Sequence, residues 1–222
     1  CETVKIAVVG TGSKGNAYLV TVGDSKILLD AGVPMSKIRK FNNNRICDID
    51  AMLITHTHRD HAAYAEEIQQ SGVRFIFGAA NNVNDKFNVF ADYQKHDIEC
   101  RGYSIDFPQY KIMLHYITDT VEPIVSGKCL NDGLRHYWII ECDYCELAMD
   151  YNDQHESAEM GMRNNRTRDN HLSDRTVIDF FKRKNIPADA ILFVHKSSKN
   201  FDYELFCDEW EKELPRLSMD VA

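Results

Sequence analysis

No apolar run in the 222-residue chain approaches the ~20 residues that a bilayer span needs, and no charged start followed by an apolar stretch reads as a signal peptide. The expectation is a soluble, cytoplasmic protein that makes no use of a membrane. Cysteine is present but poorly placed for cross-linking: the seven are odd in number, widely scattered, and belong to a chain too long to need staples. Reduced thiols are expected. Proline- or serine-rich linkers and short fixed-period repeats are missing. With a length that suits one domain, this points to a single domain over residues 1–222. Positive charge is also scarce. The 26 bases against 34 acids give −8, which at first speaks against an extended polyanion as partner. The charge is uneven, however. Residues 202–222 hold seven of the acids and only two bases, so much of the excess lies on one expected helix face and tail.

What is present is strand punctuation followed by helices. Val4–Val9, Ala17–Val22 and Ile27–Asp30 read as strands separated by a glycine-rich loop and a tight turn at Gly23-Asp24. Ala51–Thr55 is a short strand ending on polar residues, and Ala62–Gln70 has helical composition closed by Gly72. Val73–Phe77, Lys111–Ile117 and Tyr137–Glu141 are further strands, with Lys111–Ile117 alternating as a half-buried strand should. Ser173 can cap a helix from Asp174 to Lys184, stapled by Leu172. Ala190–Val194 is a buried strand, and Phe201–Leu214 a helix with Phe206, Trp210 and Leu214 on one side. Residues 150–170, rich in Asn, Asp and Arg, read as a loop or lid.

The strongest chemical signal is Thr55-His56-Thr57-His58-Arg59-Asp60-His61, directly after a strand. Each neutral imidazole offers a nitrogen ligand near pH 7. In extended backbone His56 and His58 share a face, whereas Asp60 and His61 enter the following helix and point elsewhere. Two neighbouring ligand pairs suggest two metal ions, and a dinuclear site needs further ligands from His96, His115, His136, His155, His171 and His195. The Cys142-x-x-Cys145 pair has no second pair at a suitable spacing and reads as incidental. Gly10–Asn16 lacks full P-loop spacing and reads as a tight turn beside the metals, with Lys14 and Asn16 as substrate contacts.

The H-x-H-x-D-H run, with Gly10-Thr11-Gly12-Ser13-Lys14-Gly15-Asn16 and Leu28-Leu29-Asp30-Ala31-Gly32 before it, resembles the metallo-β-lactamase superfamily. Within that superfamily it is similar to the YycJ/WalJ-type exonuclease branch and, more distantly, to ribonuclease Z. His96-Asp97 before Gly102-Tyr103 is similar to the branch's H-D-x-x-x-x-G-Y segment. Thr118-Asp119-Thr120 is similar to T-D-T-G, with Val121 in place of the glycine. Asn170-His171-Leu172-Ser173-Asp174 is similar to G-H-L-S-N, and His195–Asn200 to H-L-S-x-x-N, with Lys196 as a departure.

The resemblance implies an α/β four-layer αβ/βα sandwich, two mixed sheets flanked by helices. It implies two divalent transition-metal ions, zinc or manganese. One is held by His56, His58 and His96, the other by Asp60, His61 and His195, with Asp119 bridging. His115 is the rival to His96. The chemistry implied is phosphodiester hydrolysis through a hydroxide shared by the two metals. Asp60 would orient it and His171 would stabilise or protonate the leaving oxygen. Ser173 is counted with Lys14 and Asn16 among the substrate contacts. A DNA exonuclease-like nuclease heads the readings, ahead of a cyclic- or small-nucleotide phosphodiesterase. A lactone, thioester or lactam hydrolase and a non-enzymatic metal- or nucleotide-binding protein follow, and a homodimer is left open. Few basic residues flank the motifs, chiefly Lys14, Lys196 and Lys199, which favours a short stretch of phosphodiester over a long footprint.

Overall fold

Two mixed β-sheets pack face to face, each covered on its outer side by helices. The structure, a computed structural model, describes residues 3–130, 133–155, 157–183 and 186–222. The first sheet runs β1 (Val4–Gly10), β2 (Ala17–Val22), β3 (Ser25–Leu29), β4 (Ala51–Leu53), β5 (Arg74–Ile76). It is antiparallel from β1 to β3 and parallel from β3 to β5. The second sheet is ordered β12-β11-β10-β9-β8-β7-β6. Its antiparallel part comprises β6 (Ala80–Val83), β7 (Phe87–Gln94), β8 (Cys100–Phe107) and β9 (Ile112–Ile117). Its parallel part continues through β10 (Arg135–Glu141), β11 (Ala190–Val194) and β12 (Met219–Val221).

Strand periodicity explains the layering. Ile27 and Leu29 face inward with Tyr18, Ile105, Leu114 and Ile139 between the sheets. Leu28, one residue out of phase, turns outward to Ile38 of α1 (Met35–Phe41) and Ile68 of α3 (Ala65–Gln70). On the other side Trp138, Ile140, Ile191 and Phe193 pack against α6 (Asp174–Arg183) and α7 (Tyr203–Glu213) through Val177, Phe181, Phe206 and Trp210. Fully burying each such side chain contributes about 1.5–3 kcal/mol, so both helical layers are firmly attached.

Several expectations are corrected. The stretch 150–170 is largely helical and not a loop: 150–155 lie in α4 (Glu146–His155) and 158–170 in α5 (Ala158–Asn170). These helices lack an apolar stripe because polar groups join them. Arg168 reaches Asp150 at 2.8 Å and Asp153 at 2.7 Å, and the buried Asn164 donates to Asp153 at 2.6 Å. The strand at Lys111–Ile117 is buried along all of β9, not half-buried, because helices cover the outer face of this part of the sheet. Its apparent polar position, His115, is satisfied inside by Ser104 Oγ at 2.9 Å and stacks on Trp138. The helix expected over Ala62–Gln70 is divided into α2 (Arg59–Ala62) and α3. Strands β6, β7, β8 and β12 and helix α1 add to the elements expected from the sequence. The helix end expected at Lys184 lies outside the described residues. Among the described residues no helix is long and apolar enough to cross a membrane.

Candidate metal centre

The site collects at strand ends. Asp30 follows β3, the His56–His61 loop follows β4, Asp119 follows β9, Asp143 follows β10 and His195 follows β11. The carboxyl ends of parallel strands diverge into loops there and leave a crevice, the usual ligand position in such sheets. Three of these residues occupy the left-handed region, Asp30 at φ 58°, Asp119 at φ 50° and His195 at φ 58°. Such backbone costs on the order of 1–3 kcal/mol per residue and persists where surrounding structure over-determines it.

Backbone hydrogen bonds lock the loops together. Asn16 N donates to Asp60 O at 2.7 Å, Gly32 N to Asn16 O at 2.8 Å, and Ala31 N to His61 O at 2.7 Å. Gly32 is required at this junction because a Cβ there would lie 1.7 Å from Asp60 O. Gly32→Ala is therefore expected to destabilise the fold by about 1–3 kcal/mol and to displace the Asp60–His61 turn. Thermal unfolding and metal content measured together check it, and a variant with both at wild-type level would contradict the steric argument.

Two ligand groups meet at this junction. His56 Nε2 is 3.1 Å from His58 Nδ1, which is 3.3 Å from His96 Nε2. Ligands on a tetrahedral ion at about 2.0–2.1 Å would stand about 3.3 Å apart, so these three nitrogens match the edges of such a site. His61 Nε2 and His195 Nε2 lie 3.6 Å and 3.8 Å from Asp60 Oδ2 and form the second group. Asp119 stands between them, Oδ2 at 2.8 Å from His61 Nε2 and Oδ1 at 3.6 Å from His195 Nε2, and also groups with His56.

The donor set fits cations. One proton can bridge two imidazoles, but it cannot satisfy three converging nitrogens, and the buried His195 Nε2 has no hydrogen-bond partner. The opposite ring edges are held as ligand imidazoles usually are. His61 Nδ1 bonds Asp30 Oδ2 at 2.7 Å, Thr55 Oγ1 lies 3.0 Å from His56 Nδ1, and His58 Nε2 is 3.4 Å from Asp97. Charge is strongly polarised here. Burial, with help from neighbouring His61, pushes His56 down to about 3. Burial also opposes charge on His61, yet Asp119 and Asp30 outweigh it and raise that imidazole to about 10. Burial would raise Asp119, but His195 and His61 hold its carboxyl well below the usual range.

The structure thus brings together His56, His58, Asp60, His61, His96, Asp119 and His195. His171 joins them, with Nδ1 at 2.6 Å from Glu141 Oε1 and 3.1 Å from Asp119 Oδ1. His115 stands apart, 3.0 Å from His136 in the core, and His155 bonds Tyr151 O on α4. Two substrate contacts are corrected. Asn16 is fully buried beneath the site, its amide committed to Gly12, Asp60 and His61. Ser173 is buried as the cap of α6, accepting from Thr176 N at 3.1 Å and donating to Glu146. Lys14 does line the cleft. Cys142 and Cys145 are free thiols buried beside Trp138.

From the sequence Glu141 has no role, and Asp30 and Asp97 stand as motif residues without an assigned one. Glu141 is wholly buried, and its carboxylate also lies 3.1 Å from His195 Nδ1, out of line for a hydrogen bond. Its signal was available, since a carboxylate closing an apolar strand has the same context as His56 and His195.

A four-layer sandwich with a histidine- and aspartate-lined crevice at its strand ends is the metallo-β-lactamase fold. Residues 10–73 match the family model of the metallo-beta-lactamase superfamily. Over 60 residues it is 38% identical to the exodeoxyribonuclease WalJ of Streptococcus pneumoniae, a match covering 26% of this chain and 22% of that protein's length. The metallo-beta-lactamase fold protein YhfI from Bacillus subtilis superposes with a TM-score of 0.69 at 14% identity, covering 99% of this chain and 97% of that one. The short form of human tRNase Z superposes at 0.58 and 15% identity, covering 87% and 93%.

Proposed function

We propose that this chain is a phosphodiester hydrolase of the nuclease kind, working with two divalent metal ions. The observation that carries the reading is the position of Asp119 between two ligand groups, with His171 facing the same cleft. His56, His58 and His96 would hold one ion, Asp60, His61 and His195 the other, and Asp119 both. The imidazole and carboxylate donors suit zinc or manganese. When bound, such a pair polarises phosphoryl oxygens and acidifies water to near neutrality. The protein's own part is orientation and proton transfer. Asp60 presents a carboxylate to the reacting centre. His171, its Nδ1 engaged by Glu141, has Nε2 left to donate a proton to the leaving oxygen. Burial works against charge on His171, but Glu141 and Asp119 overcome it and raise the imidazole to about 11, which favours the proton-donating form. The names of two similar proteins, an exodeoxyribonuclease and a tRNase, support a nucleic-acid substrate.

The test is metal content together with cleavage of bis(p-nitrophenyl) phosphate. About two transition-metal equivalents per chain are expected, with cleavage lost on chelation and restored by added zinc or manganese. Metal-loaded protein that leaves the diester intact would overturn the reading.

A further inference from the structure

The crevice is a cleft of about 530 Å³ whose charge is arranged in two tiers. Its acids, Asp60, Asp97, Asp119 and Asp143, belong to the metal centre and its surroundings. Lining the same cleft are five exposed cations, Lys14, Arg163, Arg166, Lys196 and Lys199. None of the five pairs with an acidic side chain among the described residues, although the chain carries more acids than bases.

The arrangement is built in. Arg163, Arg166, Thr167 and Asn170 line the cleft at i, i+3, i+4 and i+7, one face of α5. Arg168 is spent on Asp150 and Asp153. The helix is pinned by Asn164, 1% exposed, which donates to Asp153 and accepts from Asn200 Nδ2 at 2.9 Å. Asn200 closes the segment that carries His195, Lys196 and Lys199, so α5 and that segment are held as one frame.

We infer that this frame grips the phosphates flanking the scissile one, and that the substrate is a single strand of nucleic acid several nucleotides long, bound through its backbone. The inference rests on the phosphodiesterase reading above. A lone diester brings one negative charge, which cations at the metal centre already meet, so five uncompensated wall cations call for additional phosphates. A concave cleft suits a strand that can thread, whereas a duplex presents its phosphates on a convex surface. The lining contains no Phe, Tyr or Trp on which bases could stack. Binding therefore depends on charge, with little base preference, and is steeply salt-dependent.

The experiment measures binding of metal-loaded protein to a fluorescein-labelled phosphorothioate 12-mer by anisotropy, beside the KM and kcat for the ordinary 12-mer. Five phosphate contacts on a single strand predict a log–log salt slope of about −3.5, a loss on the order of 100-fold between 50 and 200 mM salt. R163Q/R166Q should reduce the slope to about −2 and the loss to about 20-fold, with KM raised far more than kcat is lowered. K212Q, on the remote α7, should bind like the wild type. Wild-type slope and KM in R163Q/R166Q would overturn the inference, as would a 12-mer left uncleaved by protein that hydrolyses bis(p-nitrophenyl) phosphate. Failure on both substrates would instead remove the phosphodiesterase reading itself.

Discussion

Asp119→Asn is expected to lower cleavage of bis(p-nitrophenyl) phosphate by about 10³-fold or more and to lose metal from the protein. The carboxylate stands between both ligand groups, so its replacement weakens two sites with one change. An amide oxygen retains the shape but not the charge that offsets two cations. Losing several kcal/mol of transition-state stabilisation corresponds to a rate factor of this size. Metal analysis and kinetics on the same preparation check it. Asparagine protein with full metal and near-normal turnover would refute the bridging role. In metal-free protein Asp119 is the charge partner of His61 and His195, so circular dichroism should accompany the assay to separate lost chemistry from lost structure.

His171→Ala is expected to reduce kcat by about 10²–10⁴-fold, the usual worth of a general acid, with metal content unchanged. The pH profile distinguishes proton donation from mere support. A raised pKa means that His171 is protonated at neutral pH and loses its proton as pH rises, so the wild type should show an alkaline limb above the ordinary 6.5 and below about 11. Bound cations near Asp119 would pull that limb down within this window. His171→Ala should lack the limb altogether. Glu141→Gln should keep it but move it to lower pH, because the Glu141 carboxylate is the main influence that sustains the imidazolium against burial. An unaltered profile in both variants would leave His171 no part in proton transfer. It would also reduce Glu141 from a positioning residue to buried packing.

How far these residues were legible follows from range. The His56–His61 cluster is local: its type, spacing and place after a strand are visible in six consecutive residues, and its geometry follows from strand and helix periodicity. His96, Asp119 and His195 were recognisable only by resemblance of short islands, because nothing in their own neighbourhoods fixes where they meet. Asn16 and Ser173 depart from expectation for a related reason. Their residue types suit a substrate contact as well as a structural one, and only burial separates the two. The α4–α5 pair has the composition of a loop because its stabilising contacts are polar and partly distant. Asn164 finds Asn200 36 residues on, and no hydrophobic period records that.

By itself the sequence determined the imidazole and carboxylate types of the His56–His61 run, its strand–loop context and the succession of strands and helices. These depend on residue type and on periods of two or about four residues, whereas the layered α/β class came through family resemblance. Only the tertiary structure decided that His96 and not His115 lies beside His56 and His58, that Glu141 sits behind His171, and that α5 turns Arg163 and Arg166 toward the cleft. Each of those is a meeting of side chains from separate elements. The packing of two sheets and their outer helices creates such meetings, and local backbone preference has no information about them.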